Sequence, residues 1–168
     1  MLATPDELAG VTGRDAMTYW RMQLHPDDLR NTVRDTITTL AAGYIGIDVA
    51  GDARDLAAAL PRTLSSAQRE ALAFAQDMAI GDRVLVFTHH FPFALARIAG
   101  GYNFVSAPVR AHGILFRHFR AVDDIRYYAD LAPNAREWES ILVTERMTPL
   151  NDPNSMSYQL IERWLRAG

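Results

Sequence analysis

Apolar and polar positions along the chain change period several times, and each change marks an element. Met17 to Leu24, MTYWRMQL, alternates and is rich in aromatics, which predicts a strand with Tyr19 and Arg21 on one face and Trp20 and Met22 on the other; His25-Pro26 stops it. Over Asp27 to Ala42 the period becomes helical, with Leu29, Val33, Ile37 and Leu40 on one stripe, acids in the first turn and Gly43 at the end. Tyr44 to Val49 reads as a buried strand, and Gly51-Asp52 begins the loop behind it. Two alanine-rich helices are expected next: Ala53 to Leu60, closed by Pro61, and Ser65 to Ala79, opened by serine caps with Gln or Glu in its first turn.

After the turn Ile80-Gly81-Asp82, four apolar runs predict consecutive strands: Val84 to Phe87, Phe93 to Ile98, Tyr102 to Val105 and Ile114 to Val122. Gly100-Gly101 is a hairpin signal between the second and third. In the last run Leu115, Arg117, Phe119 and Ala121 share one face, and Phe116, His118, Arg120 and Val122 the other. An acidic turn at Asp123-Asp124 follows, then Tyr127-Tyr128 and the loop Ala132-Pro133-Asn134. Glu137 to Glu145 fits helix or strand, with strand favoured over Ile141 to Thr144. After a loop at Asn151 to Asn154, a closing helix over Ser155 to Leu165 should turn Met156, Leu160, Ile161 and Trp164 inward. Residues 1–16 form a polar lead-in, and 17–168 make one α+β domain, a small mixed β-barrel with helices packed outside.

Charge changes the picture. The forty residues Arg83 to Val122 contain no acid, five arginines, four of the five histidines and seven aromatics. Before them seven arginines face twelve acids, and after them five face eight, so a net charge of −3 hides a basic middle. Guanidinium for phosphate and rings for bases are the ingredients of a nucleic-acid surface. The competing explanation is that the rings are barrel core.

Absent residue types exclude chemistry. Without cysteine there is no disulfide, thiolate nucleophile or zinc-thiolate site. All seventeen basic residues are arginine, so Schiff-base and P-loop lysines are also excluded. No apolar run is long enough to cross a bilayer and MLATPDELAG does not read as a signal peptide, which makes a cytoplasmic location the expectation.

Tyr19-Trp20, Ile45-Gly46-Ile47, Asp52 with Asp55-Leu56, Ile80-Gly81-Asp82-Arg83-Val84-Leu85-Val86, Ala94 to Tyr102, and Arg117-His118-Phe119-Arg120-Ala121-Val122 form an ordered set. The set resembles the EVE-like modules of the PUA-like superfamily, found in modification-dependent restriction and prokaryotic defence proteins. It covers most of Thr18 to Val122 and weakens afterwards. The resemblance implies a mixed barrel whose pocket accepts a base turned out of its duplex, often a modified cytosine or adenine. It places Trp20 and the Thr88-His89-His90 turn along that pocket, with Tyr102, Arg117, His118 and Arg120 nearby or on the backbone. Many relatives carry tryptophan directly after the Ile-Gly of the second strand, where this chain has Ile47 and then Asp48. That departure leaves three alternatives: a narrower pocket, one that reads an amino group through Asp48, or a vestigial one.

The reading that follows is a non-catalytic nucleic-acid-binding module. Arg97, Arg110, Arg117 and Arg120 are its candidate phosphate contacts, Trp20 and Tyr102 its stacking rings, and His89, His90 and Asp48 its edge readers, with Thr88 and His118 beside them. DNA with a modified base is the expected partner, RNA the alternative, and a separate nuclease or ATPase a possible effector. No cofactor or metal is expected, since His89 and His90 are adjacent and would face opposite sides of a strand. For His118 and Arg120 the bland alternative is a structural network with Asp123 or Asp124. A small hydrolase remains the competitor from another class, with Ser65, Ser66 or Thr88 as nucleophile, though no G-x-S-x-G elbow supports one. The lysine-based chemistry of the related ASCH domains has no residue here to carry it.

Overall fold

The computed structural model describes residues 16–24, 30–50, 54–56 and 63–168. Within them seven strands run in the order β1 (Tyr19–Gln23), β2 (Tyr44–Ile47), β3 (Arg83–Thr88), β4 (Phe91–Ile98), β5 (Asn103–Phe104), β6 (His118–Tyr127) and β7 (Met147–Pro149). Four α-helices accompany them: α1 (Thr32–Ala41), α2 (Ser66–Gln76), α3 (Tyr128–Leu131) and α4 (Met156–Ala167). The strands form a sheet curled into a half-barrel, in the order β2-β6-β4-β3-β1-β7, with β5 paired to β6. Only β1 and β3 are parallel, Trp20 lying opposite Val84. Among the described residues no helix is long and apolar enough to cross a membrane.

Pleating divides the core in two. Trp20, Met22, Val84, Val86, Ala94 and Ala96 point into the hollow, where they meet Ala71 and Phe74 of α2. Tyr19, Leu85, Phe87 and Leu95 point the other way and are covered by Leu160, Ile161 and Trp164 of α4. With both faces covered, β3 must be apolar throughout, which is why Val84 to Phe87 does not alternate. Helix α2 starts as expected: the Ser65 hydroxyl accepts from the Gln68 amide while the Gln68 side chain accepts from the Ser65 amide. At the β7 edge, Glu70 takes the Arg146 and Met147 amides and Pro149 has no N–H to offer, so the sheet presents few free donors there.

Several expectations are corrected. Gly100-Gly101 joins β4 to β5 without making a hairpin, because both strands pair with β6. Gly100 instead lies against Ala121, whose carbonyl accepts from its amide. Asp123-Asp124 is no turn: β6 runs through it to Tyr127 past an irregular register with β4, and Asp124 absorbs the distortion at φ 43°. Residues 138–145 are neither helix nor strand. Met156 is exposed, while Leu160, Ile161 and Trp164 face inward as expected. The helix expected over 53–60 falls largely outside the described residues.

The largest correction concerns α1. Gly43, at φ 80°, ends it where expected. Two members of its apolar stripe, however, face outward. Val33 and Ile37 are 45% and 47% exposed, whereas Thr32, Asp35, Thr36 and Thr39 are buried beside Leu40. Among the described residues the hydroxyls of Thr36 and Thr39 have no hydrogen-bond partner. Each such group costs about 1–3 kcal/mol when buried, so this polarity works against stability.

Candidate nucleic-acid interface

The segment 141–146 ties one rim of the half-barrel together. Ile141 donates its amide to the His90 carbonyl at 2.8 Å. Farther along, the Gln23 side-chain amide donates to the Val143 carbonyl at 3.2 Å, and the Gln23 main-chain amide to the Arg146 carbonyl at 2.7 Å. Arg146 then reaches the Asp48 carbonyl through its guanidinium. Finally the Asp48 carboxylate accepts the Arg117 amide at 2.8 Å. A continuous string of contacts therefore links the β3–β4 turn, the end of β1, the end of β2 and the start of β6. Of the expected site residues, His90, Asp48 and Arg117 make these contacts, and Thr88 and His89 adjoin them in the chain.

At the rim, Thr88 pairs with Phe91 and leaves His89-His90 as a two-residue turn. His89 adopts φ 56°, a conformation usually left to glycine, while His90 is exposed. Thr88 itself is buried. The Arg117 guanidinium donates to the Ser106 carbonyl at 3.2 Å and makes no ion pair among the described residues. Beyond it the loop carries Arg110 and His112 on a single 3-10 turn, both exposed, and neither forms an ion pair among the described residues.

Other expected site residues have structural duties. Trp20 is 2% exposed and donates its indole N–H to Asp82 at 2.8 Å, so it offers no ring face for stacking. Arg120 is 4% exposed; its guanidinium donates to the carbonyls of Phe74 at 2.8 Å, Ala75 at 2.9 Å and Gly100 at 3.2 Å, and lies over the Phe74 ring. Two of those carbonyls belong to the last turn of α2, which lacks acceptable partners within the helix. Arg120 is thus a cap supplied by the sheet and does not face a phosphate. Burial pulls its pKa down and Asp82 pushes it back up. Arg97 donates twice to Asp123, both bonds at 2.8 Å, and Arg83 pairs with Asp124 at 2.7 Å. The basic middle is therefore partly neutralised by acids that follow it in sequence. The network imagined between Asp123-Asp124 and His118 or Arg120 does not form, since Arg97, Arg83 and Arg126 take those acids.

Tyr102 and His118 sit together in the interior. The Tyr102 hydroxyl accepts the Leu56 amide at 3.2 Å, donates to Asp55 at 3.0 Å and lies 2.9 Å from His118 Nδ1. One hydroxyl has one proton to give. With that proton donated to Asp55, the contact with Nδ1 is one in which the hydroxyl oxygen accepts. Burial first, then Asp55, pushes the Tyr102 pKa up to about 12. The rings of Tyr102 and His118 are stacked, so Tyr102 braces β6 and its hydroxyl is fully engaged.

No protein-family model matches the chain, and no curated protein does either.

Among the described residues no group of histidines and acids is placed to hold a metal ion. Ser65 is occupied as a helix cap, the Ser66 hydroxyl accepts from the Arg69 guanidinium at 3.1 Å, and among the described residues no imidazole is hydrogen-bonded to Thr88. The residue that sequence reasoning underused is Asp82. Its carboxylate takes the amides of Thr18 and Ala79, each at 2.9 Å, as well as the Trp20 indole. A buried indole needs an acceptor, and an aspartate just before the strand that pairs with it was the available signal.

Proposed function

We propose that this chain is a non-catalytic nucleic-acid-binding module of the EVE-like, PUA-like kind, a small barrel that reads a base turned out of DNA. One observation carries the reading: among the described residues Arg110, Arg117, His89, His90 and His112 have no carboxylate partner, whereas Arg83 and Arg97 are neutralised. Guanidinium groups without carboxylate partners, on the stretch that leads into β6, suit a phosphate backbone, and the exposed His90 and His112 can add ring donors to it. Asp48 fits the part of edge reader, because one carboxylate oxygen is held by the Arg117 amide and the other is left to accept an exocyclic amino group. The buried position of Trp20 speaks against stacking by that ring, so the base would be held by its edges and by the turn.

A binding screen tests this. Matched duplex and single-stranded oligonucleotides would carry cytosine, 5-methylcytosine, 5-hydroxymethylcytosine or 6-methyladenine at one position. The expected result is salt-sensitive binding with a preference among the bases that Asp48→Asn changes. Equal affinity for all bases would leave a backbone binder without readout, preference for RNA would move the partner, and no binding at low salt would refute the proposal.

A further inference from the structure

Helix α1 presents the wrong side to solvent for a helix that serves only the fold. Its buried side carries threonines, two of them without hydrogen-bond partners among the described residues, while Val33 and Ile37, one turn apart, are about half exposed. Arg34 stands beside them with its side chain 68% exposed, and the acid it touches, Asp35, points inward. The loop described above is packed against the same helix. Gly113, at φ 72°, sits so close that a Cβ there would lie 2.2 Å from the Ala42 Cβ, and only glycine tolerates both the angle and the approach. Arg110 and His112 therefore stand next to the last turn of α1.

We propose that the outer face of α1, joined to the turn over 110–112, is part of the nucleic-acid interface, and that Val33 and Ile37 lie against sugars or bases between cationic contacts. This rests on the module reading above and extends it to an element that the sequence assigned to the core. Charge selects the occupant. Among the described exposed residues of this surface there are Arg34 and Arg110 but no carboxylate, the Asp35 that pairs with Arg34 being buried; two copies meeting through this face would set arginine against arginine, so it complements a polyanion better than a second copy of itself. Apolar side chains flanked by arginines are what a groove or a splayed strand accepts, because phosphates meet the cations while sugars and base faces meet the methyl groups.

The test uses fluorescence anisotropy with a labelled duplex and the matching single strand, over a range of salt. Val33→Thr with Ile37→Thr keeps both side chains β-branched and should lower the thermal melt only slightly, because both are already about half in water. It is expected to weaken binding about tenfold with an unaltered salt slope. Arg34→Ala is expected to reduce the slope by at most about one, since Asp35 already shares that guanidinium. If both variants bind like the parent while Arg110→Ala and Arg117→Ala weaken it, the α1 surface is not in the interface and the module reading survives. If the parent itself does not bind at low salt, the module reading fails and this one with it. If the parent sediments as a dimer that the double threonine variant dissociates, a second copy covers α1 and the proposal is overturned.

Discussion

Replacing Arg120 separates a phosphate contact from a structural cap. Its guanidinium makes three charged hydrogen bonds to carbonyls and covers the Phe74 ring, at 4% exposure. Hydrogen bonds to a charged group contribute roughly 1.5–3 kcal/mol each, but they are shared here on one side chain whose burial also costs desolvation. Arg120→Ala removes the bonds, leaves the Phe74, Ala75 and Gly100 carbonyls short of a donor and opens a void. The expected loss is about 3–5 kcal/mol, a large part of the stability of an ordinary domain. At about 2–4 °C per kcal/mol for a chain of this size, the melting temperature should fall by roughly 10 °C. Urea and thermal melts at one pH measure this. A loss below about 1 kcal/mol, together with a flatter salt dependence of nucleic-acid binding, would refute the capping argument and return Arg120 to the phosphates.

Asp82→Asn should destabilise the fold by roughly 2–3 kcal/mol, because an amide turns a donor toward groups that are themselves donors; the urea midpoint and the Trp20 indole N–H resonance report it. His89→Gly should stabilise by about 0.5–1 kcal/mol by relieving the left-handed backbone, and an unchanged or lower urea midpoint would mean that the turn is not strained. Tyr102 predicts an alkaline limb. Its folded pKa of about 12 lies above the ordinary value of 10.0, so the folded state holds the proton more tightly. This contribution is intact below pH 10 and is lost as pH rises from 10 towards 12. Tyr102→Phe should flatten that part of a stability profile against pH, and an identical profile would contradict the buried network.

Strands β1, β3 and β4 were legible because both of their faces are buried in separate clusters, so they read as short apolar runs bounded by turn residues. The cap of α2 was legible because Ser65 and Gln68 act over three residues. What depends on distant partners was not. Trp20 looked like a platform because a sequence shows a ring but not the Asp82 that holds it, 62 residues away. Arg120 looked like a phosphate contact for the same reason, its acceptors lying on α2 and at Gly100. Helical periodicity identified the apolar stripe of α1 but not the direction it faces, because periodicity carries no information about which side the sheet occupies. Arg97 and Arg117 had equal standing in the sequence. Only the return of β6 past β4 gives Arg97 an acid and leaves Arg117 without one among the described residues.

The most direct test of the central claim is the affinity for a duplex oligonucleotide as a function of salt, for the parent chain and for a variant with both Arg110→Ala and Arg117→Ala. The account predicts that the logarithm of the parent's affinity falls linearly with the logarithm of salt concentration, and that the variant's slope is shallower by about two, with an unchanged melt. Parent binding that is absent at low salt, or a slope that the two substitutions leave as it was, would contradict it.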